Sequence, residues 1–97
     1  GGDRIVVLQT KDEPKRYAVA LYMRMETATD AAEIAKILKG QFGAKCKARK
    51  DLGPVAWAHR GKDVVLVAGP YKKGASIEQA ADCKVADAWL QQILAAK

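Results

Sequence analysis

The sequence has few of the residues on which catalysis and metal binding depend. Its 97 residues include one histidine and two cysteines. His59 has Arg60 and Lys62 beside it, and no nearby motif supplies a nucleophile or an orienting acid for general-base catalysis. Cys46 and Cys83 lack CxxC spacing, and a zinc site built with His59 would need a fourth ligand. We therefore predict a protein that is not an enzyme and has no metal or cofactor.

Long apolar runs and phosphate-binding glycine loops are missing too. No stretch approaches the roughly 20 apolar residues that cross a bilayer, and no glycine spacing fits a P-loop. The chain begins with Gly1 and Gly2 instead of a methionine and a basic segment, which we interpret as a processed terminus or an expression remnant. The length and a hydrophobic share of 49% predict one globular domain over residues 1–97.

Aromatic residues are scarce at 6%, whereas basic residues are abundant. Seventeen Lys and Arg against eleven Asp and Glu give a formal net charge of +6. Residues 34–50 contain no acid, and strict alternation over 44–50 places Lys45, Lys47 and Arg49 on one strand face, followed by Lys50. This pattern predicts either a stripe that binds nucleic acid or another polyanion, or a charged surface that protects an edge strand from pairing. The lack of interleaved aromatics favours the second interpretation.

The segment DVVLVAGPY at 63–71 predicts a central strand buried on both faces. Its consecutive apolar residues lie between a turn at Gly61-Lys62 and the breaker Gly69-Pro70. Further strands are predicted over 4–9, 17–25, 44–50 and 55–60, the first two forming an antiparallel hairpin. In the strand at 17–25 the odd positions carry large apolar side chains, so we expect them to face the core, whereas the even positions form a face of smaller side chains that something small can approach.

A first helix is predicted over 26–42. Thr27 and Asp30 have the spacing of an N-terminal cap, and the helix ends at Gly40 or Gly43. Its apolar positions fall on one stripe, as expected for a helix with one buried face. The stripe consists of Ala31, Ile34, Ala35, Leu38 and Phe42.

A second helix is predicted from Ser76, as its cap, to about Ala95. It has two apolar stripes with Trp89 between them, although a helix on a sheet needs only one. Either the helix bends or its second face meets another body. We predict that Val85 and Trp89 belong to a surface for a protein partner or for self-association.

The combined pattern is α+β. We predict a two-layer sandwich in which a mainly antiparallel sheet of four or five strands is covered on one face by two helices. The element order is ββα-β-ββα, so the unit strand–strand–helix occurs twice. This repetition indicates an internal duplication.

Two segments, YAVALY before the first helix and VVLVAGPY before the second, resemble the paired strand–helix halves of SPOR domains. SPOR domains are small bacterial modules that bind peptidoglycan glycan strands, and the resemblance implies glycan binding here. This chain has an additional strand before the first helix and a hairpin where a SPOR domain is tighter. It has no evident strand after the second helix.

The two cysteines leave two interpretations open. A helix packed over an alanine-lined strand would bring Cys46 and Cys83 within the roughly 6 Å between Cα atoms that a disulfide requires, which would imply an exported protein. Otherwise they are buried thiols acting as small hydrophobic residues. We expect a non-catalytic binding or assembly domain from an exported bacterial protein, with a periplasmic or other extracytoplasmic location favoured. The alternative is a polyanion-binding domain that uses residues 36–50.

Overall fold

The chain is α+β and follows the predicted element order. The computed structural model describes residues 2–11, 16–49, 53–71 and 79–96. Five strands and two helices lie within these ranges: β1 (Gly2–Gln9), β2 (Tyr17–Arg24), α1 (Ala28–Phe42), β3 (Lys47–Arg49), β4 (Gly53–Arg60), β5 (Asp63–Tyr71) and α2 (Gln79–Ala95). Neither helix within this part of the chain is long and apolar enough to span a bilayer.

β5 lies at the centre of the sheet, as its apolar run predicts. The strand order is β1-β2-β5-β4-β3, and every neighbouring pair is antiparallel. Val64, Val65 and Val67 are fully buried although successive side chains of a strand point to opposite faces. β5 is therefore buried on both sides. The tight turn at Gly61-Lys62 joins it to β4, and Gly61 adopts the positive φ of 59° that such turns require.

α2 covers one face of the sheet, and the main core lies between this helix and the sheet. The helix contacts β5, β4 and β3. Alanine is frequent in this core, so the helix backbone can approach the sheet closely. The core consists of Ala18, Ala20, Tyr22, Ala56, Val65, Val67, Ala86, Leu90 and Leu94.

The even positions of β2 face this core, which reverses the orientation expected from side-chain size. Ala18 and Ala20 are buried, whereas Tyr17 and Val19 are about half exposed. The helix needs small side chains beneath it, and these occur at the even positions. The expectation that the large odd-numbered side chains face the core is therefore wrong for this strand.

α1 packs against the other face of the sheet. Both helices contact β4 and β5. A helix about 10 Å wide fills the space above two strands about 4.8 Å apart, so two helices cannot share these strands on one face. Trp57 alternates with the core-facing alanines of β4, and its Nε1 donates a hydrogen bond of 2.8 Å to the carbonyl oxygen of Gly43 at the end of α1. The expectation of both helices on one face is corrected accordingly.

The two strand–strand–helix units differ in how their helices are placed. α1 belongs to the first unit but contacts β4 and β5 of the second. α2 belongs to the second unit and contacts β4 and β5 of that same unit. A duplication with matching helix packing would give each helix equivalent contacts. The internal duplication therefore stays a prediction from element order.

α1 has the N-terminal cap that the sequence predicts, and of the two predicted ends it uses Gly43. The Thr27 hydroxyl accepts a hydrogen bond of 3.0 Å from the backbone N–H of Asp30, and the backbone N–H of Gly43 donates to the carbonyl oxygen of Lys39. Ala31 and Ala35 are buried on the predicted stripe. The predicted cap and apolar face of this helix are confirmed.

Several predicted elements have different bounds: α1 begins two residues later than predicted, and β1 and β4 each begin two residues earlier. The strand expected over 44–50 is reduced to β3, so Lys45 and Cys46 precede the strand. Lys50 and the predicted cap Ser76 lie outside the described residues.

Gly69 lies at an irregularity in the pairing of β5 with β2, where the two backbones are close to each other. The register of the two strands shifts between Tyr17 and Val19, and Gly69 adopts a positive φ of 122° there. A Cβ atom at Gly69 would lie 2.5 Å from the Cβ of Ala18 and 2.8 Å from the carbonyl oxygen of Tyr17. Both the backbone conformation and the space thus require glycine.

We expect Gly69→Ala to lower the free energy of unfolding by more than about 1 kcal/mol, because the alanine is strained and also collides with β2. Gly40→Ala is the matched control, since a Cβ at Gly40 on α1 meets nothing within 4 Å. It should raise the free energy of unfolding by about 0.5–1 kcal/mol. Urea denaturation measures both, and equal effects of the two substitutions would contradict this description of Gly69.

Candidate interaction surface

Four apolar side chains on β1 and β2 lie open to solvent on the α1 side of the sheet. Ile5 is 70% exposed, Val7 69%, Tyr17 51% and Val19 46%. The antiparallel register places Val7 opposite Val19, and Ile5 follows Val7 on the same face. We call these four residues the open face. It exists because α1 packs over β5 and β4, which lie two and three strands away from β1.

β1 also forms an edge of the sheet. Its outer side has no neighbouring strand within the described sheet, so half of its backbone groups point outward. The backbone N–H of Thr10 donates to the carbonyl oxygen of Arg16, 2.9 Å away, so these residues form a hydrogen-bonded pair at the end of the hairpin. Such pairs alternate along an antiparallel ladder. The even residues of β1 therefore bond to β2, and Ile5 and Val7 direct their N–H and C=O groups outward.

The two edges of the sheet differ in length and in sequence. β3 has three residues, and the sequence there is Lys47-Ala48-Arg49. β1 has eight residues, and the stretch from Ile5 to Gln9 contains neither a charge nor a proline. Short length and basic residues are devices that prevent edge pairing. The β3 edge has both, and the β1 edge has neither along this stretch.

The predicted basic stripe is placed only in part. Lys45 is exposed and precedes β3, and Lys47 and Arg49 pair with Val55 and Gly53 of β4. Lys36 and Lys39 on α1 are also exposed. The single strand face predicted for Lys45, Lys47 and Arg49 is not formed, because Lys45 lies outside the strand.

The predicted partner residues of α2 line a groove next to the end of β1. Val85 and Trp89 are half-buried, and Trp89 packs against the main core. The groove has a volume of about 490 Å³. Its other lining residues are Gln9, Thr10, Lys11, Arg16 and Gln92. A role of Val85 and Trp89 in partner binding stays a prediction.

The ionisable side chains near the strand ends have structural partners. The Tyr22 hydroxyl donates a hydrogen bond of 2.5 Å to Oδ1 of Asp63, and Nη1 of Arg24 lies 3.6 Å from the same oxygen. These contacts join β2 to β5. The exposed His59 has its Nε2 2.9 Å from the carbonyl oxygen of Gly61. Over the described ranges, no three His, Cys, Asp or Glu side chains gather as a metal site would require.

Comparison with known proteins finds no matching family model, no matching curated protein and no matching solved structure.

The sequence analysis missed the open face, although one signal for it was present. Ile5 and Val7 occupy alternate positions of a hairpin strand, where a solvated face normally carries polar side chains. The same alternation holds at Tyr17 and Val19 on the neighbouring strand. The hairpin thus has two apolar faces, and its even side, with Ala18 and Ala20, is the one that packs against the main core.

The two cysteines lie at disulfide distance. Their Cα atoms are 5.7 Å apart across a sequence separation of 37 residues. Cys46 precedes β3 and Cys83 lies in the first turns of α2, so a disulfide between them would connect this helix to the β3 side of the sheet. Both side chains are partly buried, and Cys46 packs against the main core.

We expect protein purified under oxidising conditions to have an intact mass lower by two hydrogens than the reduced chain. Replacing both cysteines by serine should lower the free energy of unfolding by about 3–4 kcal/mol, because the unfolded chain regains the freedom of the closed loop. A reductant should destabilise the natural sequence equally and leave the double variant unchanged. Two free thiols in the oxidised preparation would contradict the bond.

Proposed function

We propose that this chain is a non-catalytic binding and assembly domain that docks a protein partner on the open face of β1 and β2. The observation that carries the proposal is the grouping of four exposed apolar side chains, Ile5, Val7, Tyr17 and Val19, on one face of one hairpin. Scattered apolar residues are ordinary on a protein surface, whereas a contiguous apolar patch is typical of an interaction site.

The open face contributes little to the fold of the single chain. Ile5 and Val7 keep more than two-thirds of their surface in water, so their burial stabilises the monomer only weakly. The even side of the same hairpin, with Ala18 and Ala20, provides the contacts to the core. A partner that covers Ile5 and Val7 would remove apolar surface from water, which is the main driving force of protein association.

An exported protein is the proposed setting. The approach of Cys46 and Cys83 to 5.7 Å supports a disulfide, and disulfides persist in oxidising compartments. The proposal of a bacterial origin depends only on the resemblance of the two strand–helix segments to SPOR domains.

We expect Ile5→Lys with Val7→Lys to abolish partner binding while the thermal unfolding temperature changes little, because these side chains are largely hydrated in the free chain. Ile37→Lys is the matched control, since Ile37 is 65% exposed on α1 and lies outside the open face. The natural chain, the double variant and the control are each immobilised. The sets of proteins that the three chains retain are then compared. Proteins retained by the natural and control chains but lost from the double variant support the open face. The same set on all three chains contradicts it.

The second candidate function is binding of a polyanion by the basic surface near the end of α1. Lys36, Lys39 and Lys45 are exposed, and no acidic residue occurs over 34–50. Converging lysines attract phosphates and release bound counterions, so such binding weakens as salt rises.

For this candidate we expect Lys39→Glu with Lys45→Glu to weaken binding of a fluorescent single-stranded oligonucleotide and to reduce the slope of log affinity against log salt by roughly 0.7 for each lost phosphate contact. Lys62→Glu with Lys84→Glu, two exposed changes outside residues 34–50, is the control with the same net charge. Fluorescence anisotropy at several salt concentrations gives both slopes. Equal slopes for the natural and charge-reversed chains would rule out this surface.

A further inference from the structure

We propose that the occupant of the open face is an amphipathic helix of the partner, which lies beside α1 and carries basic side chains at one end. This inference rests on the proposed binding function and names the chemistry of the partner. The width of the space beside α1, the side chains that line it and the charge at one of its ends support it.

The space above β2 and β1, beside α1, has the width of one helix, and we call it the gap. α1 lies above β5 and β4, and the sheet continues from β5 to β2 and β1. The midline of β2 and β1 is two strand spacings, or about 9.6 Å, from the midline of β5 and β4. The axes of packed helices are about 8–10 Å apart. A helix in the gap would therefore rest on the open face and touch α1 at the same time.

Apolar side chains line the gap on its floor and on its α1 wall. The open face forms the floor. On α1, Ile34 lines a cavity together with Met25 and Asp3, so this flank of the helix faces the ends of β1 and β2. Ile37 follows three residues later on the same flank and is 65% exposed. An amphipathic helix in the gap would bury its apolar stripe against both surfaces, as helices do in apolar grooves.

The length of the open face suits a helix of three to four turns. Asp3 and Gln9 are six residues apart on β1, a distance of about 20 Å. A helix of about 14 residues spans that distance, and α1 itself has 15 residues. A stacked sheet of about four to six strands is wider than the gap, so part of it would lie beyond β1 without support.

The end of the gap near Asp3 is acidic. The cavity there has a volume of about 520 Å³. Four exposed carboxylates line it: Asp3, Glu26, Asp30 and Glu33. Arg24 lines it too, but its Nη1 lies 3.6 Å from Oδ1 of Asp63 on β5.

This acidic end decides the charge of the partner. Asp30 lies in the first turn of α1 and complements its dipole. Asp3 has no such role, because it lies across the gap on β1 and precedes Ile5 on the same face. Carboxylates on both sides of the gap attract Lys and Arg side chains, although the whole chain carries +6. The helix therefore has its basic residues at this end.

Selection from a displayed library of random peptides, each of about 16 residues and thus slightly longer than the gap, identifies what the open face binds. The natural chain is the target, and peptides that also bind the variant with Ile5→Lys and Val7→Lys are removed. We expect the remaining peptides to have apolar residues at i, i+3, i+4 and i+7, with Lys or Arg toward one end. Circular dichroism should show a gain of helix content when such a peptide binds.

Asp3→Lys tests the acidic end. One selected peptide is synthesised with its basic residues and again with glutamates in their place, and fluorescence anisotropy measures both affinities. The variant should bind the basic peptide about five-fold more weakly and the acidic peptide more tightly, because an attraction becomes a repulsion and the reverse. A variant that had lost its fold could not gain affinity. Asp87→Lys, an equal change of net charge at an exposed position of α2, is the matched control and should leave both affinities unchanged.

Ile37→Lys tests the contact with α1. A helix in the gap reaches Ile37, whereas an extended peptide confined to the open face does not. We expect binding of the basic peptide to weaken by about two- to three-fold only, because the lysine stem still covers apolar surface while its ammonium group stays in water. So small a change leaves this variant able to retain its partners in the comparison described above.

Three results would overturn the helix as the occupant. They are selected peptides with apolar residues at alternate positions, which indicate a strand, binding without a gain of helix content, and a natural chain that dimerises through Ile5 and Val7. In each case the open face still binds, so the proposed function stands. Equal affinities of the natural chain and Asp3→Lys for the basic peptide would overturn the basic end. If neither the selected peptides nor the retained proteins depend on Ile5 and Val7, both proposals are wrong.

Discussion

The burial of β5 on both faces is the constraint from which the rest of the architecture follows. Val64 and Val65 point to opposite sides of the sheet, and both are fully buried, so each side needs a cover above the same strand. α2 provides one cover and α1 the other, and both contact β4 and β5. Because the helices are placed above the same two strands, the sheet extends beyond α1 on the β1 side. The open face is therefore a consequence of how the central strand is buried.

Side-chain size proved a poor guide to which face of β2 is inside, and the reason is physical. A helix packs closely on a sheet where the side chains between them are small, and the alanines of β2 and β4 allow α2 to approach. The large residues Tyr17 and Val19 lie on the α1 side of the sheet and remain about half exposed, because α1 packs mainly over β4 and β5. An alternation of large and small apolar residues predicts a strand, but it does not say which set faces the covering element, because that depends on a helix distant in sequence.

The parts of the fold that the sequence predicted are those with local causes. The Thr27 cap, the turn at Gly61-Lys62 and the central strand each depend on residues within a few positions of one another. Strand order and helix placement depend on contacts between distant segments. For these features the sequence predicted only the fold class. The open face also depends on where α1 does not reach, so the local alternation at Ile5 and Val7 could indicate an apolar face but not that it stays exposed. The disulfide distance was accessible because it follows from a helix packed over a strand carrying small side chains.

Stability and interaction are assigned to opposite sides of the molecule. Cys46 and Cys83 connect α2 to the β3 side, where the edge strand is short and basic, and the alanine-rich core lies between them and β2. The β1 side has a long uncharged stretch at its edge and apolar side chains that the monomer leaves in water. Substitutions at Ile5 or Val7 therefore alter surface chemistry without opening a cavity, whereas substitutions at Ala18 or Ala20 would disturb the packing of α2. Under the proposed function, the residues that recognise a partner are not those that hold the fold together, so substitutions on the open face can alter binding while the core remains the same.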